Sequence, residues 1–121
     1  MKILIVDDDP ALLMVASMAL AEVAGLEVIE ARGGLEALEF AKHGNPDAIL
    51  MDVVLPDIDG LDIFQKLGAD QRTKRIPIIF HTAKTEPSYI RRLMALGAKG
   101  VIEKPFDPMM LATEIKRILS L

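Results

Sequence analysis

The sequence predicts an α/β protein built on a doubly wound, five-stranded parallel sheet. Three observations lead to this prediction. Five short aliphatic runs alternate with segments of helical periodicity along the chain. The run from Ala48 to Met51 contains no polar residue, which is typical of a strand buried on both faces. The connections are short and no shift in composition marks a linker, so we expect one domain over residues 1–121.

The first half of the chain is expected to supply three strands and two helices. In order they are a strand at Ile3–Val6, a helix from Pro10 that stops at Gly25, a strand at Glu27–Ala31, a helix from Gly33 to about Lys42 and a strand at Ala48–Met51. The first helix begins at Asp9-Pro10, because aspartate caps helix N-termini and proline suits the first helical position. Apolar residues at helical spacing predict its inward face: Leu12, Val15, Ala16, Ala19, Leu20 and Val23.

The second half repeats the same alternation. We expect a helix from Gly60 to about Asp70, a strand at Ile76–Phe80, a helix at Pro87–Leu96, a strand at Gly100–Glu103 and a last helix from Asp107-Pro108 to the chain end. Phe64 and Leu67 are the inward residues predicted for the third helix. With a βα order repeated five times, right-handed crossovers place helices on both faces of the sheet.

Composition limits the classes of function. Apolar residues make up 51% and aromatic residues only 4% of the chain, which indicates an aliphatic core. The net charge is -4 and no long basic run occurs, so direct binding to nucleic acid is disfavoured. The absence of cysteine excludes disulfides and thiolate metal sites. The longest uncharged stretch, Pro10 to Ala21, is too short to cross a bilayer, so we expect a cytoplasmic protein without membrane contact.

Polar residues gather at the predicted carboxyl ends of the strands, where ligands bind in such sheets. They are Asp7 and Asp8 after the first strand, Asp52 after the third, Thr82 after the fourth and Lys104 after the fifth. In a sheet of order 2-1-3-4-5 the three carboxylates converge and raise one another's pKa values unless a cation intervenes. All-oxygen ligands suit Mg²⁺. A metal, a lysine and a hydroxyl around a carboxylate are typical of phosphoryl transfer.

At these residues the chain resembles a response-regulator receiver domain of two-component signalling, of the kind found in chemotaxis. The motifs that carry the resemblance are Asp7-Asp8-Asp9, the stretch from Asp52 through Pro56 to Gly60, Thr82-Ala83 and Lys104-Pro105-Phe106. The resemblance implies a flavodoxin-like (βα)5 fold of strand order 2-1-3-4-5. It also implies that Asp52 takes a phosphoryl group from a phosphohistidine on a sensor histidine kinase or a histidine phosphotransferase.

The same resemblance implies the other roles in the site. Asp8, Asp52 and the backbone carbonyl of Val54 would bind Mg²⁺, with Asp7 supporting the metal through water. Thr82 and Lys104 would contact the phosphoryl oxygens. The Lys104–Pro105 bond is expected to be cis. Such a domain catalyses only its own phosphorylation and slow autodephosphorylation, and homodimerisation on phosphorylation is left open.

Two alternatives remain at this point, together with one departure from the family pattern. The alternatives are a Mg²⁺-dependent phosphohydrolase on the same sheet and a degenerate receiver that acts only as an interaction module. The departure lies three residues before Lys104, where receiver domains commonly carry a mobile Tyr or Phe and this chain has Val101. His81 is interpreted as structural and is left out of the site.

Overall fold

A computed structural model describes all 121 residues of the chain. The elements follow one another as β1 (Lys2–Val6), α1 (Pro10–Met18), β2 (Glu27–Ala31), α2 (Gly34–Gly44), β3 (Ala48–Asp52), α3 (Gly60–Ala69), β4 (Ile78–Thr82), α4 (Pro87–Ala95), β5 (Gly100–Glu103) and α5 (Leu111–Ile118). A single π-helical turn, Ala19–Val23, continues α1. No helix is both long and apolar enough to cross a membrane.

The five strands form one parallel sheet of order β2-β1-β3-β4-β5, which confirms the predicted fold class and strand order. The order reverses between β1 and β3, because the chain builds outward to β2 on one side and to β4 and β5 on the other. The register places Val6 opposite Met51, and Asp52 opposite His81. The ends of β1, β3 and β4 therefore meet at one edge of the sheet.

Alternate strand residues face two separate cores. One core joins Leu4, Met51 and Phe80 of the strands to buried residues of α2, α3 and α4. The other joins Ile5, Leu50 and neighbouring strand residues to α1 and α5. Both faces of the central strands are thus covered, which explains why these strands are aliphatic throughout.

The predicted starts of β4 and α5 were wrong, and in both cases the cause is a turn; β4 also ends later, at Thr82, and α5 ends at Ile118 before the chain end. β4 begins at Ile78 instead of Ile76, because the Ile76 amide donates to Thr73 O within a turn (3.0 Å) and Pro77 has no amide hydrogen to pair with a neighbouring strand. α5 begins at Leu111 instead of Pro108. The Asp107 carboxylate accepts from the Met109 amide (2.9 Å), which closes a turn instead of starting the helix.

The predicted inward face of α1 was only partly right. Leu13 is buried although it was not assigned to that face, whereas Val15 and Val23 are 40% and 61% exposed. The buried residues Leu13, Ala16 and Leu20 follow the spacing i, i+3, i+7. The N-cap of α1 predicted at Asp9 is confirmed, since its carboxylate accepts from the Ala11 amide at 2.9 Å.

Candidate functional site

Three carboxylates converge where the strand order reverses. Asp7 directly follows β1, Asp8 comes next, and Asp52 ends the neighbouring strand β3. One oxygen from each lies within 4.8 Å of the others. Asp7 and Asp52 are buried, at 1% and 8% exposure, whereas Asp8 is open to solvent. The cluster predicted from the sequence is therefore present, with two members inside the protein and one at its rim.

Lys104 is the cation that joins the two buried carboxylates. Its Nζ donates to Asp52 Oδ2 at 2.6 Å and to Asp7 Oδ2 at 2.9 Å. The remaining oxygen of each carboxylate accepts from a backbone amide two residues along the chain: Asp7 Oδ1 from Asp9 and Asp52 Oδ1 from Val54. These contacts hold the carboxylates in place through groups that favour their charged form.

Burial and hydrogen bonding act in opposite directions on the pKa values of Asp52 and Lys104. Burial raises the pKa of the Asp52 carboxyl above its ordinary value, and the hydrogen bonds from Lys104 and Val54 only partly offset it. Burial also acts to lower the pKa of Lys104, but its hydrogen bonds to Asp52 and Asp7 outweigh that effect and the pKa rises. Lys104 therefore stays protonated, beside an Asp52 carboxyl whose charged form is disfavoured by burial.

Thr82 and Lys104 are positioned by the backbone. The Lys104 amide donates to the carbonyl of Thr82 at 2.8 Å, which ties the end of β4 to the residue after β5. The buried Thr82 hydroxyl accepts from the Lys84 amide at 3.0 Å, and its own hydrogen is not used in that bond. The Lys104–Pro105 bond is cis, as expected from the resemblance.

The loop after Asp52 is held by two features of its sequence. A Cβ on Gly60 would lie 2.5 Å from the Asp52 carbonyl oxygen, so only glycine fits at the start of α3 behind the phosphoacceptor candidate. The Asp57 carboxylate accepts from the Gly34 and Leu35 amides at the start of α2. These bonds lower the pKa of Asp57 to about 2. This contact is not predicted from the sequence, since nothing local pairs Asp57 with residues so far away in the chain.

His81 is buried at the end of β4, beside Asp7. It is 1% exposed, its Nδ1 is 3.9 Å from Asp7 Oδ2, and its ring is 5.1 Å from the Phe106 ring. Its Nε2 is buried without a hydrogen-bond partner. Burial, followed by the nearby Lys104 charge, lowers the pKa of His81 to about 4 although Asp7 acts in the other direction. His81 is consequently a neutral side chain that packs in the interior beside Asp7, although its ring lies close to that carboxylate.

The donor set fits a hard divalent cation. The cluster offers only oxygen ligands from residues Asp7, Asp8 and Asp52, and one lysine does not neutralise three carboxylates. Two of these are buried, so their mutual repulsion is poorly screened. Exposed Asp8 leaves one side of the cluster open to water, which Mg²⁺ usually retains in its coordination shell.

Comparisons with known proteins agree with this geometry. The family profile described as response regulator receiver domain matches residues 3–116. The DNA-binding dual master transcriptional regulator RpaA of Synechocystis is 35% identical over 118 residues, which are 98% of this chain and 48% of RpaA. This chain thus spans about half the length of that relative.

Two solved structures extend the comparison. The chemotaxis response regulator CheY4 of Vibrio cholerae superposes with a TM-score of 0.89 at 33% identity, covering 97% of both chains. The receiver domain of the sensor histidine kinase PA1611 from Pseudomonas aeruginosa superposes with a TM-score of 0.86 at 29% identity, covering 99% of this chain and 98% of that one. In the PA1611 structure a magnesium ion is coordinated in the active site cleft.

Proposed function

The chain belongs to the response regulator receiver domain family of two-component signalling, and from this premise we propose that Asp52 is its phosphoacceptor. The observation that carries the proposal is the convergence of Asp7, Asp8 and Asp52 with the Lys104 ammonium at one edge of the sheet. The phosphoryl donor is a phosphohistidine on a sensor histidine kinase or a histidine phosphotransferase. The single sheet and its two cores, which draw residues from Ile3 to Ile118, support one receiver domain over residues 1–121.

The transfer step uses groups already in place. A carboxylate oxygen of Asp52 forms a bond to phosphorus while the phosphorus–nitrogen bond of the phosphohistidine breaks, and the imidazole keeps the electron pair. Lys104 offsets charge on the incoming phosphoryl oxygens, and the free hydrogen of the Thr82 hydroxyl can be donated to one of them.

Mg²⁺ is the cofactor that the donor set accommodates. Asp8, Asp52 and the Val54 carbonyl would hold it, with Asp7 supporting it through water. When bound, the metal neutralises charge between the carboxylates and the phosphoryl oxygens. Asp7 and Asp52 are fixed by backbone amides, so these ligands need little rearrangement.

The surface beside the pocket suits a helical protein donor. On α1, Met14 and Met18 are 58% and 50% exposed, and no charge interrupts the helix. A shallow apolar groove next to Lys104 is lined by side chains of α1 and of the segment after β5, including Leu12, Pro105 and Phe106. Exposed methionines adapt to the surface of a partner, so this face is the proposed docking site of the donor.

The proposed activity is limited to the domain's own phosphorylation and slow autodephosphorylation. Intact-mass measurement after acetyl phosphate tests it. Wild type with Mg²⁺ should gain an adduct of roughly 80 Da, the mass of one phosphoryl group. Asp52→Asn should show no adduct, and Asp8→Asn should lose it at ordinary Mg²⁺ concentrations because the metal is no longer held.

The matched control is Asp62→Asn, which removes an exposed carboxylate from the first turn of α3 and should leave the adduct unchanged. A full adduct on Asp52→Asn would overturn the assignment. Repeated release of phosphate from a small ester by wild type would indicate the phosphohydrolase instead. Absence of any adduct on wild type, with Mg²⁺ present, would indicate a receiver that acts only as an interaction module.

A further inference from the structure

The N-terminus of α2 is capped by a side chain from another part of the chain. The N-cap position is Gly33, which has no side chain that could accept a hydrogen bond. Asp57, in the loop between β3 and α3, takes that role: its Oδ1 accepts from the Gly34 amide at 2.8 Å and its Oδ2 from the Leu35 amide at 3.0 Å. Both oxygens of one carboxylate thus bind amides that a helix N-terminus otherwise leaves unpaired.

Gly33 provides the space for this contact. The three atoms nearest to a Cβ built on Gly33 all belong to the Asp57 carboxyl group, and the closest of them is 3.0 Å away. The backbone of Gly33 is extended, with φ at -155°, so its conformation alone does not require glycine. The missing side chain is therefore what lets the carboxylate approach the helix.

The loop that carries Asp57 also carries the proposed metal ligands. Asp52 Oδ1 accepts from the Val54 amide at 3.0 Å, and the Val53 carbonyl accepts from the Gly60 amide at 2.8 Å. These bonds close the two ends of the loop onto each other. All other hydrogen bonds of the loop stay within it or join it to α3, except those of Asp57. Asp57 is thus the only residue that bonds this loop to a different element.

Burial alone does not fix the middle of the loop. Val53 and Leu55 are buried in the core, whereas the stretch from Pro56 to Asp59 contains no buried side chain. A loop that is free in this stretch becomes ordered only when the metal binds, and that ordering costs conformational entropy. The bonds from Asp57 to α2 order the loop beforehand, which favours binding.

We propose that Asp57 is a positioning residue for Mg²⁺, because its bonds to α2 hold the loop that presents the Val54 carbonyl to the metal. The inference rests on the proposed function, in which Asp8, Asp52 and that carbonyl bind the ion. The coupling is reciprocal, because a metal that favours the ordered loop also favours the capped form of α2. Mg²⁺ therefore stabilises the first turn of a helix that contributes no ligand to it.

The test measures the dissociation constant of Mg²⁺ for the unphosphorylated protein, from the shifts of backbone amide signals during a titration. Asp57→Ala should weaken binding about three- to tenfold, which is less than the roughly 10- to 100-fold loss typical of groups that bond directly to a metal ligand. Asp59→Ala is the matched control. Asp59 is an exposed carboxylate of the same loop, but it caps α3 locally by accepting from the Leu61 amide at 3.0 Å. Its removal should leave the dissociation constant nearly unchanged.

A second variant disturbs the contact from the side of α2 without removing a charge. Gly33→Ala places a Cβ against the Asp57 carboxylate, which has to move away from the α2 amides. It should therefore weaken Mg²⁺ binding too, although by less than Asp57→Ala does. In the Asp57→Ala background, Gly33→Ala should have no further effect on the dissociation constant, because the carboxylate that it displaces is gone.

Hydrogen exchange reports on α2 itself. In wild type, saturating Mg²⁺ should slow the exchange of the Gly34 and Leu35 amides by the same factor by which Asp57→Ala weakens metal binding. In Asp57→Ala, the exchange rates of these two amides should not depend on Mg²⁺. A purely structural cap would stabilise α2 equally with and without the metal.

Equal Mg²⁺ affinities in wild type, Asp57→Ala and Gly33→Ala would overturn the inference. An equal loss of affinity in Asp57→Ala and Asp59→Ala would do so too, since loop charge alone would then account for it. So would exchange of the Gly34 and Leu35 amides that Mg²⁺ does not slow in wild type. Gly33→Ala and the exchange measurement decide the question even where Asp57→Ala does not fold. A wild-type protein that binds no Mg²⁺ would overturn the proposed cofactor, and this inference with it.

Discussion

Acid should destabilise this protein through one buried histidine. Burial and the Lys104 charge lower the pKa of His81 from 6.5 to about 4 in the folded state. The folded protein therefore favours the neutral ring more strongly than the unfolded chain does. The stability that depends on this preference is fully present above pH 6.5 and is lost as the pH falls towards 4.

The size of the effect follows from the two pKa values. Binding of a proton to the unfolded chain but not to the folded one costs the fold about 2 kcal/mol between pH 7 and pH 5. The carboxyl of Asp57 has its pKa lowered to about 2, so its contribution is lost only in stronger acid. The raised pKa of Asp52 acts in the opposite direction, because protonation of that carboxyl relieves its burial as the pH falls.

Urea unfolding of wild type and His81→Gln at pH 7 and pH 5, in the presence of EDTA, isolates the histidine. Both proteins carry every other titrating group, so the difference between their pH dependences belongs to His81. With a denaturant slope of about 1–3 kcal/mol per molar urea, the wild-type midpoint should fall by roughly 1 M more than that of the variant. Equal falls for the two proteins would refute the assignment of His81 as a buried neutral ring.

Two further predictions concern the surfaces around the site. Met14→Glu or Met18→Glu on α1 should leave phosphorylation by acetyl phosphate intact but slow phosphoryl transfer from a phosphohistidine protein. The control Met94→Glu, on α4, should slow neither reaction. Equal transfer rates in all variants would mean that the α1 methionines serve packing alone. In NMR spectra, adding beryllofluoride, a mimic of the phosphoryl group, with Mg²⁺ should shift the backbone amide signals around Thr82 strongly. The signals of α4, β5 and α5 should shift only modestly, because Val101 has no aromatic ring that could change its rotamer. Large shifts throughout α4, β5 and α5 would contradict this expectation.

Sequence reasoning succeeded where one local pattern determines the outcome. The aliphatic run from Ala48 to Met51 favours a strand covered on both faces, and β3 is that strand. The carboxylates of Asp7 and Asp52 were expected together because parallel strands end at the same edge, and their oxygens do converge. The boundaries of β2 and β5 agree with the prediction: Arg32 follows β2, and Lys99 and Lys104 flank β5.

It failed where several local solutions were equally good. α1 is apolar nearly all round, so periodicity alone could not distinguish a face containing Leu13 from one containing Val15. Asp107-Pro108 has the composition of a helix start and of a turn, and the turn was formed. The Asp57 contact with α2 and the Lys84–Tyr89 contact depend on how separate elements pack, and neither leaves a mark in the local sequence.

The arrangement of charge indicates how the pocket would respond to the proposed phosphorylation of Asp52. Lys104 is the only lysine or arginine in contact with the two buried carboxylates, and it serves both at once. A phosphoryl group on Asp52 adds negative charge beside an ammonium that is already shared. Lys104 must then divide its hydrogen bonds between Asp7 and the new oxygens.

The Lys104 residue is also tied to its neighbours through the backbone. The Lys104 amide donates to the Thr82 carbonyl, and the Thr82 hydroxyl accepts from the Lys84 amide. A shift of Lys104 therefore acts on the backbone that carries Thr82 and Lys84. The Lys84 side chain in turn contacts the Tyr89 ring on α4, so the proposed phosphorylation site has a direct physical connection to that helix although position 101 carries a valine.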